Sequence, residues 1–291
     1  METIRSILHP WVIHAAKLAR DKKYRRKSER ILIGGLKVVR EQLAHQNPKW
    51  KRVATTERFR DNHNDLASLF ANANLHINID ERCCQHITRE ATPDGIIAEL
   101  NMPKLPKADL SSASNSKCLA LLEPSLPLNL GSIVRTAVAL GWANIVLVGD
   151  AADPLSYECI RSSKGAVFGG AYHFIKSPND LQKYLENNRI EPILASSHSE
   201  CGHIEGHLMF SRPLTSDIKR TQKWALVLGN EAHGFKKLPN TEYWKGVMRA
   251  SIPFNNCNVE SLNLSVAAGI LMHSLNYSVC SDSECNKGST I

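Results

Sequence analysis

The segment from Pro127 to Ala137 places an amide, a glycine and an arginine where an apolar run gives way to a helical pattern. Asn129 occupies the position of a helix cap, and Gly131 permits close approach of another backbone. Arg135 falls in the first turns of the expected helix, where a guanidinium can hold a phosphate through two parallel hydrogen bonds. The alternative is a capped helix that carries a solvated arginine.

A second segment, Leu226–Phe235, leads from an apolar run into a loop with a carboxylate between two glycines. Gly229 and Gly234 would let main-chain groups reach a ligand, and Glu231 could hold a neighbouring loop or a cation. Many loops in α/β proteins share this pattern, so it is weak by itself.

In the third segment, an apolar run ends at Ile252-Pro253, and a polar loop leads to a helix of small and apolar residues. Ser261 and Asn263 precede that helix and can either hydrogen-bond a ligand or cap the helix. Capping is the stronger expectation for Ser265. The loop between them contains Cys257.

These segments follow candidate strands that alternate with helical patterns. Such alternation predicts an α/β domain with a mostly parallel sheet, and ligands are expected at the carboxyl ends of its strands. The expected strands are Cys118–Leu122, Ile145–Val148, Tyr172–Ile175, Ile193–Ala195, Trp224–Leu228 and Val247–Ile252. The expected helices lie near Gly131–Leu140, Pro178–Asn188 and Leu262–Leu275.

Residues 101–116 are rich in Pro, Ser and Lys and predict an exposed linker between two domains. The smaller first domain, residues 1–100, contains an apolar run that leads into a helical pattern at Ile31–Leu43. The second domain comprises residues 117–278. A Ser-, Asp- and Asn-rich tail, residues 279–291, is expected to be disordered.

The chain of 291 residues carries a net charge of +8, and its pI is near 9.1, which favours a polyanionic partner. The basic residues cluster in a stripe between Lys17 and Arg30, in which Lys22, Lys23, Arg25 and Arg26 are expected to contact phosphates of that partner. The alternative is that the stripe is only a solvated face. No apolar run approaches the roughly 18–20 residues that span a bilayer, so we expect no membrane association. The eight cysteines lack a disulfide-framework spacing, which favours a reducing, cytoplasmic location, although organellar import stays open.

The run from His198 to His207 has closely spaced imidazoles and a thiol that could bind zinc. It matches no established ligand spacing, and a polar surface loop is favoured. We therefore expect no metal site.

Taken together and in this order, the three segments resemble the SpoU family of the SPOUT superfamily of methyltransferases. The shared pattern is Asn-x-Gly-x-x-x-Arg, then Gly-x-Glu-x-x-Gly, then Ile-Pro followed by Ser-Leu-Asn-x-Ser. The matching positions are Asn129, Gly131, Arg135, Gly229, Glu231, Gly234, Ile252, Pro253, Ser261, Leu262, Asn263 and Ser265. Ser163–Ala166 also looks like a stretch of the family. The loop after Pro253 departs from the pattern: it is one residue longer and lacks the usual glycine.

The resemblance implies a trefoil-knotted catalytic domain that binds S-adenosyl-L-methionine and methylates a ribose 2′-hydroxyl in structured RNA. It implies that main-chain groups of Gly229, Ile252 and Leu262 hold the cofactor. Arg135 would position the hydroxyl and the adjacent phosphate, because a guanidinium is normally protonated and makes a poor base. Asn129 and Glu231 would organise Arg135 and the substrate, and the catalytic set would be completed by Ser261 and Asn263.

The first domain is similar to the ribosomal-protein-like RNA-binding domain of some SpoU proteins. The acid-free stretch Thr3–Arg20 aligns with the start of that domain, which is favoured over a transit peptide. A separate first domain favours ribosomal RNA over transfer RNA as substrate. The family also implies a homodimer, and a helix of small residues after Ser261 suits close helix packing. The alternative function is RNA binding without catalysis, although the retained Arg135, Glu231 and Asn263 argue against it.

Overall fold

A computed structural model of the chain describes residues 3–44, 50–63, 76–108, 117–196, 203–205, 208–211, 223–253 and 261–279. The chain divides into two compact units. Unit 1 comprises Met1–Lys104 and Asp153–Val167, and unit 2 comprises Leu105–Ala152 and Phe168–Ile291. The segment 153–167 thus joins unit 1, although its place in the sequence had assigned it to the second domain. The predicted domain boundaries themselves stay a prediction.

Unit 1 alternates short strands and helices. Its strands are β1 (Thr3–Ile4), β2 (Arg30–Gly34), β3 (Trp50–Thr55), β4 (His76–Ile79) and β5 (Ile96–Asn101). Its helices are α1 (Pro10–Arg20), α2 (Lys22–Ser28), α3 (Leu36–Ala44), α4 (Glu57–Asn62), α5 (Glu81–Thr88) and α7 (Tyr157–Ser162). The predicted strand-to-helix transition at Ile31–Leu43 corresponds to β2 and α3.

The described strands of unit 1 form a sheet in the order β1-β4-β3-β5-β2, in which β1, β4 and β3 are parallel and β5 is antiparallel to its neighbours. Buried side chains of α1, α5, β2 and β5 form one core cluster, and Tyr157 of α7 belongs to it. Tyr157 packs so closely on β2 that a Cβ added at Gly34 would lie 2.5 Å from its hydroxyl. Segment 153–167 is therefore built into the core of unit 1.

The basic stripe contains one residue that is not available to a ligand. Arg25 is only 1% exposed, and its guanidinium donates two hydrogen bonds to Asp153, at 2.7 and 3.0 Å, and one at 2.9 Å to the carbonyl of Leu18. The prediction that Arg25 contributes to an exposed basic surface is wrong, because a buried arginine needs a charged partner and Asp153 supplies it. Lys23, Arg26 and Lys27 are exposed.

Unit 2 contains the elements predicted for the second domain and some that were not predicted. Its strands are β6 (Lys117–Leu122), β7 (Asn144–Val148), β8 (Ala171–Ile175), β9 (Glu191–Ala195), β10 (His203–Glu205), β11 (Leu208–Phe210), β12 (Trp224–Leu228) and β13 (Met248–Ser251). Its helices are α6 (Pro127–Ala139), α8 (Asn179–Asn187), α9 (Glu242–Gly246) and α10 (Leu264–Val279), and a 3₁₀ turn spans Ala166–Gly169 at its border.

The described strands of unit 2 form a sheet in the order β10-β11-β13-β9-β12-β6-β7-β8. The strands from β13 to β8 are parallel, and β10 and β11 add an antiparallel edge. The predicted α/β class with a mostly parallel sheet is confirmed, and the predicted strands differ from the observed ones by no more than two residues at either end. The trefoil knot stays a prediction.

Helix α6 begins earlier than its sequence pattern indicated. Pro127 occupies its first position, and Leu126 precedes it without a side-chain capping bond. Proline suits this position because its missing N–H would have no helical partner there. Asn129 is therefore the third residue of α6 and not its cap, which corrects the sequence-based assignment.

Helices α6 and α10 run side by side in the same direction. Asn263 precedes α10 beside Asn129, Gly269 lies opposite Thr136, and Asn276 bonds Trp142. Both helices therefore begin at the same end of the sheet. Among the described residues, no helix has the length and apolarity needed to cross a membrane.

Parts of three predictions fall outside the described residues. Only His203–Glu205 of the His/Cys run is described, as β10. The lengthened loop with Cys257 and the tail from residue 280 are not among the described residues. In the predicted linker, Lys107 forms a parallel bridge with Tyr172 at the edge of the sheet, and residues 109–116 lie outside the described part.

Candidate active site

The candidate site forms where β6 and β12 end. These strands are parallel neighbours with Leu121 opposite Leu228, so the loops that follow them meet at one edge of the sheet. Asn230, in the second loop, donates a hydrogen bond of 2.8 Å to the carbonyl of Glu123 in the first. Lys237 forms an ion pair with the Glu123 carboxylate. The expected ligand position at the carboxyl ends of the strands is thus occupied by polar groups of both loops.

Glu231 connects the second sequence segment to the first. Its Oε1 accepts a hydrogen bond of 3.4 Å from Asn129 Nδ2, and its Oε2 accepts from the backbone N and the Oγ of Ser125, at 3.4 and 3.3 Å. The start of α6 at Pro127 places Asn129 within reach of Glu231. The carboxylate therefore connects the N-terminal end of α6 to the loop after β12.

Asn263 connects the third segment to the same group. Its Nδ2 donates a hydrogen bond of 3.2 Å to Asn129 Oδ1, and its Oδ1 accepts from the backbone N of Ser265 at 2.8 Å. The second bond makes Asn263 the N-cap of α10. The expectation that Ser265 caps this helix is wrong, because Ser265 is the second residue of α10 and donates its backbone N–H to the cap. The sequence left open whether Asn263 caps the helix or belongs to the site. In the structure it does both. A chain of hydrogen bonds, Glu231–Asn129–Asn263, joins all three segments.

The loop after β12 has a shape that requires glycine at its first position. A Cβ added at Gly229 would lie 2.8 Å from the carbonyl carbon of Gly234, a backbone atom that has little room to move. Reciprocal backbone hydrogen bonds between Asn230 and Gly234, at 3.0 and 2.8 Å, close the loop, and Gly234 has a φ of +54°. Asn230 Oδ1 also accepts from the backbone N of Ala232 and of His233.

Sequence reasoning missed Asn230 and Ser125. The signal for Asn230 was its place directly after Gly229, since asparagine side chains commonly bond the backbone two or three residues further on in turns. Ser125 carried no comparable signal.

The remaining predicted site residues are described but not joined to this chain of hydrogen bonds. Arg135 lies on the exposed face of α6, about 9 Å along the helix axis from Asn129. Within the described residues its guanidinium has no hydrogen bond or ion pair, so its pairing with Asn129 and Glu231 stays a prediction. Ser261 is exposed, while Ile252 and Leu262 are half-buried.

Two features of this edge fit a bound ligand, one of the main chain and one of a side chain. Gly229 presents a backbone with no side chain and no space for one. Ser251, at the end of β13, is 1% exposed, and its hydroxyl has no hydrogen-bond partner in the part of the chain that the structure describes. A buried, unsatisfied hydroxyl beside Ile252 is consistent with the binding of the expected cofactor, S-adenosyl-L-methionine, at this edge.

The described cysteines are poor nucleophiles. Burial raises the pKa of the Cys118 thiol to about 12, and burial together with nearby acidic groups raises those of Cys83 and Cys84 to about 12. The pKa of Cys159 is also raised, mainly by burial. At neutral pH these thiols are protonated, and the thiolate is the reactive form.

Comparison with known proteins matches two family models to the chain. The model of the SpoU rRNA Methylase family matches residues 116–273, and that of the MRM3-like substrate binding domain matches residues 12–98. The second match covers most of the part of unit 1 that precedes residue 104.

Characterised relatives include ribosomal RNA methyltransferases. The chain is 27% identical over 63% of its length to a 23S rRNA uridine 2′-O-methyltransferase of Streptomyces viridochromogenes, of which the match covers 60%. It is 27% identical over 68% of its length to a 23S rRNA guanosine 2′-O-methyltransferase of Bacillus subtilis, of which the match covers 71%. The chain thus spans about three fifths of the first of these relatives.

Solved structures share the fold over nearly the whole chain. An RNA 2′-O ribose methyltransferase superimposes with a TM-score of 0.74 at 21% identity, covering 96% of this chain and 98% of that one. An AdoMet-bound rRNA methyltransferase from Sinorhizobium meliloti gives a TM-score of 0.68 at 24% identity, covering 94% and 97%.

The SpoU model spans more than half of the chain, and residues 116–273 include the three segments that the Glu231–Asn129–Asn263 chain joins. This protein belongs to the SpoU rRNA methylase family.

Proposed function

We propose that this protein transfers a methyl group from S-adenosyl-L-methionine to a ribose 2′-hydroxyl of RNA, and that its substrate is ribosomal RNA. The observation that carries this proposal is the Glu231–Asn129–Asn263 chain, which assembles side chains 102 and 134 residues apart at the carboxyl edge of a parallel sheet. Relatives named as 23S rRNA 2′-O-methyltransferases and the match to a substrate-binding domain support ribosomal RNA.

Main-chain groups of Gly229, Ile252 and Leu262 would hold the cofactor. Bound there, S-adenosyl-L-methionine supplies a methyl group on a positively charged sulfur. Displacement at a methyl group needs the attacking oxygen in line with the breaking bond, so the contribution of the protein is alignment and electrostatics. The hydrogen bonds among Asn129, Glu231 and Asn263 hold these three side chains together in the absence of RNA.

Arg135 is the group that we assign to the RNA. Its guanidinium is exposed and unpaired within the described residues, and it extends from a helix that Glu231 and Asn263 fix through Asn129. It can therefore hold a phosphate next to the reacting ribose through two parallel hydrogen bonds. Ser261, exposed at the approach to α10, would complete the site.

Ribose chemistry is favoured over base chemistry by the state of the thiols. Methylation of a base carbon commonly needs a thiolate nucleophile, whereas a hydroxyl needs orientation and a proton acceptor. The described cysteines are buried and protonated, and Cys257 lies outside the described residues.

The experiment that tests this assignment uses an RNA with a single 2′-deoxy substitution at the modified nucleotide. This RNA should bind about as well as the parent and accept no methyl group, because the 2′-hydroxyl is the acceptor. Mapping of ribose methylation in total RNA with and without the protein identifies that nucleotide. Transfer of label to the deoxy substrate would contradict ribose chemistry, and Cys257→Ser should keep full activity.

We also propose a homodimer. Helix α10 uses its small residues within the subunit, where a Cβ added at Gly269 would lie 3.5 Å from Thr136 Cγ2, so these residues do not by themselves indicate a dimer. Support comes from exposed apolar side chains on the two adjacent helices: Leu128 of α6 is 46% exposed, and Val266 and Ile270 of α10 are 50% and 38% exposed. Leu128 lies two turns before Arg135 on the same face of α6, so a partner on this face would contact the surroundings of Arg135.

RNA docking on unit 1 and a cytoplasmic location complete the proposal. Lys23, Arg26 and Lys27 of α2 are exposed and positioned to contact phosphates. The four described cysteines are free and buried, which supports a reducing compartment.

A further inference from the structure

Ser251 has a buried hydroxyl that no described group satisfies. The residue is 1% exposed, and its Oγ makes no hydrogen bond to the described residues. Two other buried serines do have partners: Ser156 Oγ accepts from the backbone N of Cys159, and Ser163 Oγ donates to the carbonyl of Ile160. Buried polar atoms are nearly always hydrogen-bonded, because leaving one unsatisfied destabilises the fold. Among the described residues, the hydroxyl of Ser251 therefore stays available for a hydrogen bond with a ligand.

The position of Ser251 indicates where that partner comes from. Ser251 is the last residue of β13 and directly precedes Ile252, whose main chain is assigned to the cofactor. In the sheet, Ala250 of β13 pairs with Ala195 of β9, and Leu194 of β9 pairs with Val227 of β12. When this register is extended, Ser251 falls in the same row as Gly229.

Residues in one row of parallel strands point to the same face of the sheet. Ser251 and Gly229 therefore lie at the carboxyl ends of β13 and β12. Strand β9 lies between these two strands, so β13 and β12 are about 10 Å apart. Ligands of parallel α/β sheets bind at this edge. A molecule that reaches from the loop after Gly229 to the main chain of Ile252 passes the end of β13, where the Ser251 hydroxyl is located.

We infer that Ser251 Oγ forms a hydrogen bond with a polar atom of bound S-adenosyl-L-methionine and is a side-chain determinant of cofactor affinity. This inference rests on the proposed function. It adds a side chain to a binding site otherwise assigned to main-chain groups. Without the cofactor, the unsatisfied hydroxyl lowers the stability of the protein, and a hydrogen bond to the cofactor removes this effect.

The test compares the full-length wild type with Ser251→Ala in the absence of RNA. Isothermal titration with S-adenosyl-L-methionine should show an affinity about 5- to 20-fold weaker for the variant, the worth of one hydrogen bond in a water-free site. Thermal unfolding without ligand should show that Ser251→Ala is at least as stable as wild type, because the substitution removes an unsatisfied polar atom. The rise in Tm on adding the cofactor should be smaller in the variant.

Ser156→Ala is the matched control, since Ser156 is also buried but caps α7 through a satisfied hydrogen bond. It should lower the unliganded Tm and leave cofactor affinity unchanged, the reverse of Ser251→Ala. Equal affinities for wild type and Ser251→Ala would overturn the inference, as would a loss of unliganded stability in Ser251→Ala. In either case wild-type binding would leave the proposed function in place, whereas a wild type that binds no cofactor would overturn both.

Discussion

Arg135 and Glu231 occupy different positions in the site although the sequence pattern groups them. Glu231 is engaged with Ser125 and Asn129, while Arg135 has no bond within the described residues. The bonds of Glu231 connect two loops of the protein, whereas the guanidinium of Arg135 is available to a ligand. At the scale of single residues, we therefore expect Arg135 to act on the RNA.

Replacement of this arginine should separate catalysis from cofactor binding. Arg135→Ala should lower methyl transfer by at least about 100-fold, the usual effect of removing one charged donor that acts on the transition state. Affinity for S-adenosyl-L-methionine should change by less than about 2-fold, because Gly229, Ile252 and Leu262 are unaffected. Label transfer and isothermal titration measure the two effects.

Arg135→Lys is the control, because it keeps the charge without the paired donors, and it should recover only part of the activity. Wild-type turnover in Arg135→Ala would exclude the assigned role.

Gly229 is required by the close approach of Gly234. Gly229→Ala places a Cβ 2.8 Å from backbone, so the loop that carries Glu231 must move, and cofactor binding and activity should both be lost. Gly246→Ala is the matched control, because nothing lies within 4 Å of the added Cβ. Titration with the cofactor should find Gly246→Ala equal to wild type. Normal affinity in Gly229→Ala would show that the loop can open without loss of the site.

Arg25 contributes to stability and not to RNA binding. Arg25→Ala leaves the partly buried Asp153 without its partner and should lower the free energy of unfolding by roughly 3–5 kcal/mol. Arg26→Ala, one position further on the exposed side of α2, should change it by less than about 0.5 kcal/mol. Urea denaturation of the two variants measures the difference. Equal effects would mean that the ion pair of Arg25 with Asp153 adds little.

At the scale of elements, α2 now presents a smaller basic surface than the stripe in the sequence indicated. Neutralising Lys23, Arg26 and Lys27 together should reduce the slope of log K against log salt for RNA binding by about 2–3, since each phosphate contact contributes about 0.7–0.9. Filter binding over a salt series measures this slope. An unchanged slope would mean that α2 faces solvent in the complex.

The six described parallel strands of unit 2 could be predicted, because buried parallel strands are short, continuous apolar runs, as in Cys118–Leu122. The three polar segments could be predicted as partners because each follows such a strand. The antiparallel strands β10 and β11 were not predicted. The start of α6 could not be predicted, since both Pro127 and Asn129 are good residues for the beginning of a helix and tertiary contacts decide between them. Arg25 could not be distinguished from Arg26, because a run of charges does not indicate which side chain meets a buried carboxylate.

At the scale of the whole molecule, the apolar face of α6 and α10 should hold two subunits together. Ile270→Asp puts a charge on this face and should weaken a dimer by at least about 100-fold, because burying an unpaired charge is costly. Light scattering with size-exclusion chromatography measures the mass. Lys183→Asp, on the exposed side of α8, should leave the mass unchanged, and a wild type that is monomeric and active would rule out the dimer.

The sequence could not predict that residues 153–167 belong to unit 1. The Pro-, Ser- and Lys-rich stretch of residues 101–116 marks one passage between the units near Lys104. No change of composition marks the other two, after Ala152 and after Val167. The residue types of Tyr157 and Asp153 do not indicate which unit they belong to. An aromatic side chain can pack into either core, and a carboxylate can pair with a cation of either unit.

The chain passes between the units three times, which sets limits on how a gene for this protein can be divided. A cut in residues 101–116 would leave the first fragment without Tyr157 over Gly34 and without Asp153 for Arg25. The second fragment would carry residues 153–167 with their apolar side chains uncovered. Unit 1 therefore cannot be exchanged for another substrate-binding domain as one continuous piece: a chimera must take residues 153–167 from the same parent as residues 1–104.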